Sequence, residues 1–373
     1  MTSGSRRTFL SGLVLGTAAC QSTGRAGNLM PMPRAPIARA LPSEEQQISR
    51  IYIASCLDEE KRRRAKVLDA MAARPADLLL MLGDNVYGDR RNGKRVRPDP
   101  QLTELTQSLA DLTRRPDFKE VLKTHPVMVA WDDHDYGMND GGRDFAFRAR
   151  AEDLHETFWG LKQTAAATRP GTYYARAFGP AGARVQVIML DTRSFRSALA
   201  RTDQRGAPGK ERYLPSEDVN QEMLGAAQWR WLEQQLSRPA DVRVIASSVQ
   251  VLPTNAHGFE SWSRLPRERD RLLATVSARM DGQVVFVSGD RHRAFIYKQA
   301  ELGGGAFVEM TSSSINRSSR RGAQEMDRAQ LGAAFVGENF GEVFIDWRRQ
   351  QFELVIRDSA GQPVNRLAHP LKG

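Results

Sequence analysis

From about Gln47 onward, short and wholly apolar runs alternate with longer segments in which apolar residues recur every three or four positions. RIYIASC is a β-branched run that ends in small and polar residues. The charged segment over 58–74 has helical spacing, and ADLLLMLGD is a second apolar run. Strand, helix, strand is the order these predict. The pattern recurs in VLKTHPVMVAWDDHD, RVQVIMLDTRSFR, VRVIASSVQV and QVVFVSGDRHRAFIY, with AAQWRWLEQQLSRP and RERDRLLATVSARM as helices among them. Buried strands alternating with helices predict an α/β fold, in which ligands collect outside the carboxyl ends of the strands. Five strand ends would then meet at one edge.

The remainder of the chain changes character. GGAFVEMTSSSIN and ENFGEVFIDWRRQQFELVIRDSAG alternate apolar and polar positions around turns, which predicts antiparallel strands closing a second sheet. Residues 88–116 and 196–215 are charged and carry Gly and Pro, so they are expected as loops beside a site. No internal repeat or long low-complexity block is visible. Residues 21–46, rich in Pro, Ala, Gly and Arg, predict a flexible linker, with the body over 47–373.

Residues 1–20, MTSGSRRTFLSGLVLGTAAC, form a basic start, an apolar run too short to span a bilayer, and small residues before a cysteine. That is the pattern of an export signal. SRRTFL fits the twin-arginine type, whose machinery carries folded proteins and would be a partner of this chain. TAAC resembles a lipobox, with Thr17 where leucine is usual; lipid anchoring through Cys20 and cleavage elsewhere are both compatible with it. The expected location is the periplasm, with or without a membrane anchor. Cys56 would then be the single thiol of the mature chain, either a buried inert residue or a functional one.

With 373 residues and 40% hydrophobic content, the chain can bury a sizeable core and is not of the disordered class. The formal charge of +10 comes mostly from arginine, as expected of a solvated basic surface or of one that attracts phosphate-bearing partners. Aromatic residues interleaved with the basic ones, as in nucleic-acid stacking platforms, are not visible, so no nucleic acid is expected. A monomer is expected.

Against that basic background, WDDHDYGMND places four acids, a histidine and an asparagine in ten residues. Similar polar ends follow the other strands: SCLD, GDNVYGD, LDTR and SGDRHR. Carboxylate, imidazole, thiolate and phenolate are metal ligands, and their recurrence at one topological edge points to a metal centre. Any one alone is weak, since a GD after a strand is commonly a turn with a capping aspartate.

The ordered set SCxD, GDxxYGD, WDDHD, LDTR and SGDRH resembles the PhoD-like alkaline phosphatase family, a branch of the calcineurin-like metallophosphoesterases. The likeness runs over roughly 51–346, with further similar stretches at ESWSRLPRER and ENFGEVFIDW. The resemblance implies a four-layer αββα sandwich, two mixed sheets flanked by helices, and a polynuclear site holding Fe3+ with one or two Ca2+. It implies Cys56 and Asp58 as ligands of the first metal, Asp84 as the bridge, Tyr87 as a phenolate, and Asp290 and His292 in place of two family histidines. Asp133 and Asn139 are the implied calcium-side groups. His134 is the implied acid, Asp135 its orienting carboxylate, and Arg193, with Arg291 or Arg293, a clamp on phosphate oxygen. Asp132 is expected as a structural cap. Gln250 stands where the superfamily has a metal-binding histidine, with His257 as the competing candidate; Ser55 and Ser312 to Ser314 keep ordinary structural roles.

The implied activity is hydrolysis of small-molecule, lipid or polymer phosphate esters by a metal-activated water. A phosphodiesterase of the phospholipase D type is the alternative within that class. An exported binding lipoprotein without activity is the alternative outside it.

Overall fold

The computed structural model describes Met1 and residues 31–254, 257–278, 282–300, 306–319 and 325–371. Apart from Met1, the expected export signal and the start of the linker lie outside the described residues. Met32–Gly373 form one compact unit, so the body begins earlier than the expected boundary. Residues 32–46 are in that unit because they bring apolar groups with them. Met32, Ala35 and Ala38 pack against a buried cluster, and Ala35 N and Arg39 N donate to the carbonyls of Phe158 and Leu122, each at 2.8 Å.

Along the body run β1 (Arg50–Ala54), α1 (Lys66–Ala73), β2 (Leu78–Leu82), the ribbon β3 (Arg90–Arg91) and β4 (Lys94–Arg95), α2 (Thr103–Arg114), α3 (Pro116–Thr124), β5 (Val127–Ala130), the single turn α4 (Asp133–Tyr136) and α5 (Arg148–Trp159). Then follow β6 (Tyr174–Phe178), β7 (Val185–Met189), α6 (Gly225–Leu236), β8 (Val242–Ser247), α7 (Pro266–Ser277), β9 (Gln283–Ser288), β10 (Ala294–Ala300), β11 (Ala306–Ser312), β12 (Asn339–Asp346), β13 (Gln351–Asp358) and β14 (Pro363–Pro370). Two six-stranded mixed sheets result, ordered β14-β13-β12-β1-β2-β5 and β10-β11-β9-β8-β7-β6.

Strand alternation explains the layering, because successive side chains point to opposite faces. Ile51, Ile53, Leu78, Leu80 and Leu82 of the first sheet meet Val185, Val187, Val244, Val285 and Val287 of the second in one buried cluster. Tyr52, Leu79, Met81 and Val129 face the other way, onto Val67, Leu68, Leu109, Val121 and Leu154 of the helices. Ile188, Ile245, Val284 and Phe286 do the same against Trp229, Leu232, Leu272 and Val276. Strands buried on both faces read as continuous apolar runs, which is why these were conspicuous in the sequence.

The sheet membership differs from the expectation. The C-terminal strands do not close a sheet of their own: β12 pairs antiparallel with β1, Ile53 opposite Gly341, so β12, β13 and β14 complete the first sheet. β11 instead runs parallel to β9 in the second. The helix expected over 58–74 is confined to Lys66–Ala73. Residues 88–116 are largely structured, containing β3, β4 and α2.

Candidate metal centre

The parallel strands β1, β2 and β5 of one sheet and β7, β8 and β9 of the other end at a common edge. There the backbone turns sharply. Cys56 (φ 61°), Asp84 (φ 49°), Asp290 (φ 63°) and His292 (φ 55°) all lie in the left-handed region. Non-glycine residues persist there only where surroundings hold them, at about 1–3 kcal/mol each. The surroundings are tight: Leu57 N donates to Asp84 O at 2.8 Å, and Ile315 N to Ser55 O at 2.9 Å. A side chain at Gly83 (φ 96°) would put Cβ 2.5 Å from Asp132 Cβ, so glycine lets the β2 and β5 ends touch.

Two groups of ligand-type atoms result, and Asp84 belongs to both. Cys56, Asp84 and His292 offer a thiol, a carboxylate and an imidazole within 4.8 Å of one another. Tyr87 Oη joins them, 3.1 Å from both Asp84 Oδ2 and His292 Nε2. Asp84, Asp132, Asp133 and Asp290 form the second group, of oxygens alone, under the same limit.

The electrostatics are those of a cation site. Asp84 Oδ1, Asp132 Oδ2 and Asp133 Oδ1 are buried without a hydrogen-bond partner, a costly state that a bound cation relieves. Burial, then repulsion by Cys56 and neighbouring aspartates, raises the Asp84 carboxyl well above its usual range. Burial likewise pushes the Cys56 thiol up to about 11 and Asp290 to about 7. Burial and the nearby Arg317 lower His292 to about 3, leaving a neutral imidazole able to ligate. The donor set and its orphaned oxygens therefore fit two adjacent metal ions, with Cys56, Tyr87, His292 and Asp84 on one side and Asp84, Asp132, Asp133 and Asp290 on the other.

Not every expected residue joins them. Asp58 is in neither group: Arg317 Nη1 donates to its Oδ2 at 2.5 Å. Asn139 lines the cavity, but its amide oxygen accepts from Arg95 at 2.6 Å. Asp135 does not orient His134; its carboxylate takes the Asn85 and Asp132 amides, each at 2.9 Å. Asp89 bonds His134 Nδ1 instead, at 2.5 Å. Burial alone would depress that imidazole, but Asp133 and Asp89 together outweigh it and lift it to about 9.

Arg193 is fully buried beneath the site. Its Nε donates to Asp132 Oδ1 at 2.6 Å and its Nη1 to both Glu260 oxygens at 2.9 Å, which leaves it no exposed face for a substrate. Asp132 is thus held by Arg193 and by Ser248 Oγ, at 2.7 Å, while also standing in the oxygen cluster. Gln250 and His257 satisfy each other, Oε1 to Nε2 at 2.9 Å.

Two site residues were left without a role by sequence reasoning. Asp89 had a signal, the second aspartate of GDNVYGD. Ser313 had none beyond its triplet, yet its Oγ lies 3.0 Å from Cys56 Sγ and accepts the His292 amide at 2.7 Å. Above these residues lies a cavity of about 310 Å3, lined by Asp133, His134, Asp290 and His292 and rimmed by Arg90, Arg95, Arg212, Arg291, Arg293 and Arg317.

Two mixed sheets that gather acids, a thiol and imidazoles at one strand edge define the metallophosphoesterase-like class of fold. The PhoD-like phosphatase model matches residues 51–356, and the chain belongs to that family. It is 25% identical to alkaline phosphatase D of Bacillus subtilis (strain 168) over 253 residues, 60% of this chain. It spans 42% of that relative's length. Among solved structures it is similar to PhoD, with a TM-score of 0.67 and 16% identity, covering 89% of this chain and 74% of that one. It is also similar to the purple acid phosphatase PPD1 of yellow lupin (Lupinus luteus), with a TM-score of 0.57 and 12% identity, covering 88% and 55%.

Proposed function

We propose that the chain is a metal-dependent phosphoric ester hydrolase. The observation that carries this reading is Asp84, whose buried carboxylate belongs to both ligand groups beneath a cavity rimmed by arginine. When bound, the two metals supply Lewis-acid polarisation of the phosphoryl group and an acidified water. The chain's own residues do the rest. Asp89 holds Nδ1 of His134, so Nε2 is the nitrogen left to protonate a departing alkoxide. Arg90, Arg291 and Arg317 line the same cavity; Arg291 is paired with Glu325 and Arg317 with Asp58, so Arg90, bonded to the Gly93 carbonyl, is the guanidinium that offsets the charge of the phosphoryl oxygens. Arg193 positions Asp132 from below and touches no substrate.

The mixed donor set favours a ferric ion beside Cys56, Tyr87 and His292, and calcium among the aspartate oxygens. Export by the twin-arginine route to the periplasm is part of the same proposal, supported by SRRTFL.

The test pairs metal analysis of protein purified without chelator with turnover of chromogenic phosphate mono- and diesters. Asp84→Asn should lose at least one metal and about a hundredfold or more in kcat/KM. Full activity in that variant would overturn the reading. A visible charge-transfer band that Tyr87→Phe abolishes would establish the ferric phenolate; iron-loaded protein without the band would refute it.

A further inference from the structure

Residues 196–215, marked in the sequence as a loop, are held in shape by their own backbone. Arg201 and Tyr213 face each other in an antiparallel bridge, Thr202 N donates to Arg212 O and Leu214 N to Ala200 O, each at 2.9 Å, and Gly206 N to Glu211 O at 3.1 Å. A loop ordered in this way carries its side chains at little further entropic cost when a ligand arrives. It is fastened to the metal centre through Asp140. Arg212 Nη1 donates to both Asp140 oxygens, at 2.9 and 2.7 Å, Tyr213 Oη to one at 2.7 Å, and Asp140 N donates to Asp133 Oδ2 at 2.8 Å.

Beside the cavity at the metal centre lies a second one of about 330 Å3, and the two share Arg95, Asn139, Asp140 and Arg212. Arg201 and Arg205 complete the charged lining of the second. Asp140 is the one acid in that lining, and Arg212 with Tyr213 already satisfies it. Among the described residues the Arg95 side chain bonds only the neutral Asn139 amide, at 2.6 Å. Arg201 and Arg205 have no side-chain hydrogen bond or ion pair among the described residues. Three guanidinium groups without a counter-charge thus converge on one hollow, and guanidinium is the side chain best matched to a phosphate group. The reacting phosphoryl group does not need them, since the first cavity has its own arginines.

We infer that the second cavity is a phosphate subsite, and that the favoured substrate is an ester whose leaving group carries a further phosphate. The substrate part of this inference rests on the hydrolase reading; the binding part rests on the arginines alone. The experiment compares propyl phosphate with propane-1,3-diol bisphosphate on metal-loaded full-length protein, by turnover and by calorimetry. The bisphosphate should be favoured about tenfold or more, the factor a single charge-assisted contact supplies, mainly through KM, and the preference should shrink as salt is added. In R201Q/R205Q the ratio between the two ligands should fall toward one, whereas R348Q/R349Q, which removes as much charge elsewhere, should keep it. No preference in the wild type, or a ratio untouched by R201Q/R205Q, overturns the subsite. Metal-loaded protein that hydrolyses neither ester and no chromogenic diester, but binds the bisphosphate through Arg201 and Arg205, overturns the hydrolase reading and leaves the subsite standing.

Discussion

His155 sits on α5, buried, its ring 5.4 Å from Trp131 and its Nε2 without a partner. Burial holds its imidazole down at about 3. The unfolded chain binds this proton below about pH 6.5, whereas the folded chain refuses it until about pH 3, so stability falls with pH across that window. Two units into it, at pH 4.5, the liability amounts to about 2.7 kcal/mol. Denaturant midpoints of wild type and His155→Leu should therefore diverge in favour of the variant between pH 7.5 and 4.5; a constant difference would contradict the assignment. A second contrast separates two aspartates of the site. Asp89→Asn should cost about 10–100-fold in kcat with the smaller change in melting, because it bonds His134 through one oxygen and a single amide, that of Asn139, through the other. Asp135→Asn should lower the melting temperature, because its partners are two buried amides. At this scale the residue types at each strand end were legible in the sequence, but their pairings were not. Asp58 meets Arg317 and Arg193 meets Glu260 across long stretches of chain, and local pattern carries no trace of such distant partners.

Among the elements, the strand ends carry the site. Gly83→Ala would force Cβ against Asp132 at a φ of 96°, which the added methyl also resists. We expect a loss of about 2–4 kcal/mol in chemical denaturation together with reduced metal content; a variant that melts and loads like wild type would show that the β2 and β5 ends are free to separate. The apolar runs announced nearly every central strand because both of their faces are covered. What those runs could not reveal was which sheet each strand enters. β12 and β13 alternate as an independent antiparallel pair would, and nothing in that period names β1 as their neighbour. The shortened α1 has a similar cause: the charged residues before it serve turns and ion pairs, such as Lys61 N to Asp58 O at 3.3 Å.

For the molecule as a whole, the unsatisfied oxygens of the metal centre tie stability to metal. Adding a metal at a hundredfold excess over its Kd should stabilise the fold by about 2.7 kcal/mol, read as a rise in melting temperature, and chelation should reverse it. An unchanged melting curve would mean that the oxygen cluster holds no ion. The basic surface is concentrated usefully: arginines surround the mouth of an otherwise acidic site, so attraction of an anion and retention of cations occur within one opening.

The place of β1 between β12 and β2 has a consequence in time. Arg50 lies opposite Phe344, so the strand that leads to Cys56 gains its second neighbour only after synthesis has passed β12, nearly three hundred residues later. Until then the edge of the five-residue β1 stands open, and unpaired strand edges can recruit foreign strands. Assembly must wait for a late partner, and pairing across so long a stretch of chain makes for slow folding. A ribosome-bound chain halted at residue 338 should be protease-sensitive throughout β1, and one released after β14 should become resistant.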